Sequence, residues 1–288
     1  MSSARQVTSR IKTAKNISKI TKAMEMVSAS KMKRAQAQAL RSRPYAKAVA
    51  DTLHTLTSES NIALHPLFTE HQEGTELLVC LSTDRGLSGS FNPNLFRELS
   101  NWRKKNPKGE IVAVGKKAIA FSQFAGMSIH AQFSSIPDPI SLADTLPITA
   151  LILDGYLQKK FRTVSILFMD FINTLSQKAV FQQLLPLNSN LADTTLSPAV
   201  KTEYLFEPSA TEILDKLVPY YVENSVFQAF LESKASEHSA RMVAMKNASE
   251  NAQDLQEELQ LIFNKSRQAS ITSELLDITT ATLTLNTY

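Results

Sequence analysis

The placement of helix-breaking residues sets the gross plan of this 288-residue chain. All seven glycines fall between Gly74 and Gly155. Of the 11 prolines, only Pro44 precedes Pro66 and none follows Pro219. Segments of roughly 1–60 and 220–288 are therefore almost free of residues that interrupt helices, whereas the middle carries the punctuation of strands, turns and short helices. The division this predicts is an N-terminal helix over 1–60, a mixed domain over 61–208 and a C-terminal helical segment over 209–288.

Both arms carry helical apolar spacing. Val7, Ile11, Ala14, Ile17, Ile20, Met24 and Val27 recur in steps of three and four, a narrow stripe suited to one partner helix. Met242, Met245, Ala248, Ala252, Leu255, Leu259, Ile262, Ser266 and Ala269 repeat the spacing over about four heptads, the period of a left-handed coiled coil. A continuous helix over 220–285 would extend on the order of 100 Å at ~1.5 Å per residue. A long helix folded into a bundle is the alternative that periodicity alone leaves open.

Charge divides along the same lines. Residues 1–50 hold 12 Lys and Arg against one acid, Glu25, whereas the whole chain sums to only +4. The first segment, Arg- and Ser-rich and poor in acids, has features of a transit peptide, but its pattern runs on through Leu56. It also has the charge of a nucleic-acid-binding helix, although Tyr45 is its only aromatic before Phe68. A basic outer face on a structural helix fits better and asks for an acidic partner.

In the middle, 76–83 reads as a buried strand entering the turn Asp84-Arg85-Gly86-Leu87-Ser88-Gly89-Ser90. Helices follow at about 93–105, 116–124 and 141–160, and strands at 111–115, 126–133, 164–171 and 179–185, the last two joined by a hairpin at Asn173. Alternating strands and helices predict a small α/β sheet domain. The glycine-bearing turn invites a nucleotide-dependent enzyme, yet Gly86 and Gly89 complete neither the P-loop nor the dinucleotide pattern. Asp84 and Arg85 are the residues such an enzyme would use; a charged pair closing a strand–helix turn is more often structural. The lone Cys80 and five scattered histidines form no metal spacing or nucleophile–base pair. No catalytic residue, cofactor or metal is expected, and no apolar run approaches the roughly 20 residues that span a bilayer.

Four separated blocks carry a family resemblance. They are residues 19–33 (Lys-Ile-Thr-Lys-Ala-Met-Glu-Met-Val-Ser-Ala-Ser-Lys-Met-Lys), 82–87 (Ser-Thr-Asp-Arg-Gly-Leu), 237–246 (Glu-His-Ser-Ala-Arg-Met-Val-Ala-Met-Lys) and 264–276 (Asn-Lys-Ser-Arg-Gln-Ala-Ser-Ile-Thr-Ser-Glu-Leu-Leu). In order and spacing the chain resembles the gamma subunits of F-type ATP synthases along essentially its whole length. The resemblance implies an antiparallel coiled coil of the terminal helices with a small Rossmann-like α/β domain at its base. It implies a non-catalytic rotor shaft that couples ion flow through a membrane ring to ATP synthesis or hydrolysis. The implied partners are alpha, beta, delta and epsilon subunits and the c-ring, with one copy per complex and no nucleic acid. The implied location is the cytoplasmic side of a bacterial inner membrane, where the subunit is peripheral.

By matched position, Lys22 and Met24 resemble residues beside an acidic beta-subunit loop, with Arg241 near them on the other helix. Arg267, Gln268 and Thr272 resemble the set that hydrogen-bonds a beta-subunit catch loop. The family's turn commonly continues Leu-Cys-Gly-Gly, whereas this chain has Leu87-Ser88-Gly89-Ser90, which predicts lost backbone freedom at Ser90. The paired cysteines of the chloroplast redox-regulated form are absent.

Overall fold

A computed structural model describes residues 4–59, 65–187 and 209–285. The elements run α1 (Ala4–Glu59), β1 (Thr75–Leu81), α2 (Phe91–Lys105), β2 (Glu110–Val114), α3 (Lys116–Phe124), β3 (Ser128–Phe133), α4 (Leu142–Leu157), β4 (Phe161–Phe171), β5 (Gln177–Leu185) and α5 (Ala210–Leu285). The chain separates into two compact units, one of Met1–Val27 with Met242–Tyr288 and the other of Ser28–Arg241. The unit boundaries therefore fall within α1 and α5, inside the two helical segments. α5 begins ten residues before position 220, and Pro219 lies within it. A proline in a helix interior removes one backbone donor. Long helices tolerate it where packing holds the flanking turns, and Val218 and Val222 are fully buried here.

The larger unit is built on a five-stranded sheet of order β3-β2-β1-β4-β5. β1 pairs in parallel with β2 and β4, and β2 with β3, while β5 returns antiparallel on β4. Alternation along β1 sorts side chains to two faces. Leu77, Val79 and Leu81 join Val112, Val114, Val164 and Ile166 under α4 and the buried residues Leu214–Leu231 of α5. Leu78 and Cys80 join Ile111, Ala113, Leu167 and Met169 under Leu95, Leu99 and Trp102 of α2 and Ala118 of α3. Complete burial pushes the Cys80 thiol up to about 12, so it behaves as an apolar side chain. In this unit α1 and α5 run antiparallel: Arg43 lies 3.5 Å from Glu232, and the Tyr45 and Tyr220 hydroxyls lie 2.6 Å apart.

The smaller unit is the remainder of the two helices. On α1, Val7, Ala14 and Thr21 are buried at every seventh position, with Ile11, Ser18 and Glu25 half-buried between them. On α5, Met245, Ser249, Ala252 and Leu259 are buried, with Gln256 and Phe263 half-buried. The Ser18 and Ser249 hydroxyls lie 3.4 Å apart across this seam.

The seam follows the apolar spacing in part: Val7, Ile11, Ala14 and Met24 of α1 and Met242, Met245, Ala248, Ala252, Leu259 and Ser266 of α5 are buried or half-buried. Ile17, Ile20 and Val27 of α1 and Leu255 and Ile262 of α5 are exposed, and Ala269 lies beyond the seam. Their places are taken by Ser18, Thr21, Ser249, Gln256 and Phe263. A strict seven-residue repeat of mostly small side chains keeps one line of α1 facing its partner. The Thr21 hydroxyl remains satisfied by donating to the Ile17 carbonyl at 2.9 Å.

Candidate functional site

In a sheet of this order the strand succession reverses between β1 and β4, and the crevice beyond their C-terminal ends is where α/β folds bind ligands. The turn 82–90 leaves β1 at this place. Asp84 accepts backbone N–H bonds from Lys116 at 3.0 Å, in the first turn of α3, and from Ser135 at 3.1 Å. Its carboxylate therefore serves as a cap supplied from another strand. Ser82 donates to the Val114 carbonyl at 2.9 Å and accepts the Ala118 N–H at 2.7 Å. Gly115, at φ +89°, would place a Cβ 2.5 Å from the Ser82 carbonyl oxygen, so only glycine fits this crossing. Ser90 has φ −81°, where any residue is comfortable, and serine in place of glycine costs no backbone freedom there. Left-handed geometry falls instead on Leu87 and Gly89.

The crevice is filled by the chain itself. Arg241 of α5 is 9% exposed and donates to the Arg85 and Gly86 carbonyls at 3.4 Å each, while pairing with Glu237 at 2.9 Å. Ser239 donates to the Thr174 carbonyl of the β4–β5 hairpin at 2.7 Å. What remains beside Leu81, Ser82, Gly115 and Glu237 is a cavity of about 20 Å³, room for a water molecule and not for a nucleotide. Asp84 is thus a structural cap of this turn, and the Arg85 side chain beside it is exposed.

Next to it lies a charged cluster, buried at His238 and open to solvent at Lys31 and Asp138. Asp138, in the segment between β3 and α4, is 2.8 Å from the Lys31 ammonium of α1. The same oxygen is 3.1 Å from His238 Nε2, within ion-pair reach but without hydrogen-bond alignment. Burial pushes the Asp138 carboxyl up, but the Lys31 hydrogen bond and the charges of His238, Lys31 and Lys234 outweigh it and hold it low. Burial lowers His238 against the raising fields of Glu237 and Asp138, with Arg241 and Lys234 adding to the lowering. Burial also raises the Glu232 carboxyl, helped by the neighbouring Asp170, against Gln228 and Arg43.

The six residues matched by resemblance lie at three places. Lys22 is exposed and pairs with Glu25 at 3.0 Å, and Met24 is half-buried beside it on α1. Arg267, Gln268 and Thr272 share a stretch of α5, residues 267–280, that is exposed throughout. There the Thr272 hydroxyl donates to the Gln268 carbonyl at 2.9 Å. Arg241 belongs to the other compact unit and is engaged inside it. Its partners lie 155 and 156 positions away in sequence, and only the Glu237–Arg241 spacing of four hinted at a pair. Among the described residues no group of three His, Cys, Asp or Glu side chains could hold a metal, and no helix is long and apolar enough to cross a membrane.

Known proteins match the chain end to end. A family profile described as ATP synthase matches residues 3–285. An ATP synthase gamma chain of Xylella fastidiosa is 41% identical over 96% of this chain and 98% of its own length. Those of Histophilus somni and Nitrosococcus oceani are 38% and 39% identical over the same shares. Among solved structures, a mitochondrial ATP synthase central stalk and c-ring of Tetrahymena thermophila aligns with TM-score 0.61 at 26% identity, covering 80% of this chain and 99% of that one. A chain of a Euglena gracilis mitochondrial ATP synthase aligns with TM-score 0.69 at 21% identity over 98% and 94% of the two chains, a likeness of fold. With terminal helices paired antiparallel, a five-stranded α/β sheet between them in sequence, and relatives matched along their whole length, this chain belongs to the ATP synthase gamma chain family.

Proposed function

We propose that the chain works as the central rotor shaft of an F-type ATP synthase, coupling ion flow through a membrane ring to ATP synthesis and hydrolysis on an alpha–beta ring. The observation that carries this reading is the surface of the smaller unit. Its two helices meet largely through small and polar residues, with Val7, Met245 and Leu259 among them, and leave Ile17, Ile20 and Val27 outside on the basic α1 and Leu255 and Ile262 outside on α5, beside Asp254, Glu257 and Glu258. Exposed apolar side chains in such number ask for partners.

The helix pair is chemically uneven around its circumference. A collar of three like catalytic subunits would therefore meet a different face at each position. Only such differential contact shifts the balance between open and closed states, so turning the shaft drives the three sites through their states in sequence. The chain itself supplies no catalytic residue and no cofactor. The basic face of α1, Lys22 included, suits acidic loops of beta subunits, with contacts that salt weakens and that slide as the shaft turns. Met24 packs beside that contact. Arg267, Gln268 and Thr272, on the exposed stretch of α5, hydrogen-bond the beta-subunit catch loop. Arg241 acts within its own unit, holding the turn at Arg85 and Gly86. The α/β domain faces epsilon, delta and the c-ring, with one copy per complex, peripheral to the cytoplasmic side of a bacterial inner membrane.

Arg267→Ala and Gln268→Ala test the assignment. Each is expected to lower ATP synthesis by membrane vesicles or the yield of assembled complex. Unchanged synthesis together with unchanged yield in both variants contradicts it.

A further inference from the structure

The crevice at the end of β1 and β4, a ligand site in other folds of this order, is here a socket for α5. Two side chains fix the helix there from different sides. Successive helical residues are about 100° apart, so Ser239 and Arg241 leave the axis about 160° apart. Arg241 holds the turn that leaves β1, through the Arg85 and Gly86 carbonyls, and Ser239 holds the hairpin that leaves β4, through the Thr174 carbonyl. A helix tethered on one side can roll away from its tether. Tethered on nearly opposite sides, it cannot roll in either sense without stretching one bond. All three acceptors are backbone carbonyls of tight turns, which cannot follow the helix by changing rotamer. Glu237 holds the Arg241 guanidinium in place at 2.9 Å and is itself buried, so the second stop is braced. Ser239 has no accessible surface and serves nothing outside the chain.

We propose that this socket is the joint that passes turning force between the α/β domain and α5, with Ser239 and Arg241 as its two stops and Glu237 as the brace of the second. The inference rests on the rotor reading and adds to it which residues must resist rolling. It predicts a cost that appears only against resistance. An unloaded shaft needs little from the joint, whereas synthesis driven by an ion gradient, or pumping against one, sets the full force across it.

The test uses the complete complex in sealed vesicles, with Ser239→Ala, Glu237→Gln and the double variant, each checked for wild-type subunit composition. With the gradient collapsed by an ionophore, ATP hydrolysis should stay within about twofold of wild type in each single variant, the scale of one net hydrogen bond among many. Gradient-driven synthesis should fall about fivefold to tenfold in the double variant, with Ser239→Ala alone intermediate. Loaded and unloaded rates falling in the same proportion would mean general loosening of the fold and overturn the joint, as would no change in either. Should the double variant fail to assemble, the Ser239→Ala ratio of loaded to unloaded rate decides alone. Wild-type hydrolysis that does not depend on this chain would instead overturn the rotor reading, a result distinguishable from failure of the joint.

Discussion

The two compact units use their apolar residues in opposite ways. In the larger unit the bulky side chains are inside: Leu77, Leu78, Leu95, Leu99, Ile111, Tyr156 and Phe161 are all but fully buried. In the smaller unit the seam mixes Val7, Met245 and Leu259 with the smaller Ala14, Thr21, Ser249 and Ala252, and many bulky residues stay outside, Ile20 at 60% and Leu261 at 64% exposure. A seam rich in small residues lets two helices approach closely but buries little apolar area, at about 25 cal/mol per Å². The larger unit carries its own core. The smaller one keeps its apolar surface for other molecules, which is what a shaft within a collar requires.

Truncating a bulky residue in each unit gives the sharpest contrast. Leu78→Ala, between the sheet and α2, should lower chain stability by about 2–5 kcal/mol in chemical denaturation. Ile20→Ala should change the isolated chain by less than about 0.5 kcal/mol while weakening complex assembly. Equal effects of the two on the isolated chain would dissolve the distinction between the units. Gly115→Ala comes next, costing about 1–3 kcal/mol, since the new Cβ meets the Ser82 carbonyl at a positive φ.

The pH dependence is smaller and confined to the larger unit. His238 is lowered in the folded chain, so the unfolded chain takes up its proton first as pH falls. Stability should therefore be fully present above about pH 6.5 and decline below it, by at most about 1.4 kcal/mol per pH unit. Asp138, also lowered, keeps its contribution to a more acid range and loses it only as pH drops below the usual carboxylate value. His238→Gln should flatten the slope between pH 6.5 and 5, read from denaturation midpoints, and a slope that survives the substitution places the sensitive group elsewhere. Ser90→Gly has the smallest expected effect, a loss of about 0.5 kcal/mol through the freer unfolded chain, because Ser90 already sits in an unstrained conformation.

The sheet is legible in the sequence because glycine and proline bracket its strands. Spacing places β1, α2, β2, α3, β3 and β5 within two residues of where they lie. The C-terminal helical segment drawn from 209 contains Pro219, and the burial of Val218 and Val222 shows why α5 passes through it. The coiled-coil seam is legible in part: Val7, Ala14, Met245, Ala252 and Leu259 lie inside as their spacing implies. Periodicity also counts Ile17, Ile20, Leu255 and Ile262, which line the outside, and passes over Thr21 and Ser249, which are buried. The turn at Asp84 is legible as structural, but its acceptor role toward Lys116 and Ser135 depends on neighbours 32 and 51 positions away. Of the proposed partner residues, Lys22 and Arg267 stand on exposed helical faces, as their charge alone implies. The locking of Arg241 into the β1 turn needed the folded chain.

The most direct test of the shaft is composition. The tagged chain, co-expressed with alpha and beta subunits of its own source, should purify in a complex whose mass fits one copy per three alpha–beta pairs, with ATPase activity that depends on its presence. A chain that purifies alone, or that binds or hydrolyses nucleotide by itself, would contradict the account and reopen the turn from Asp84 to Gly89 as a site of chemistry.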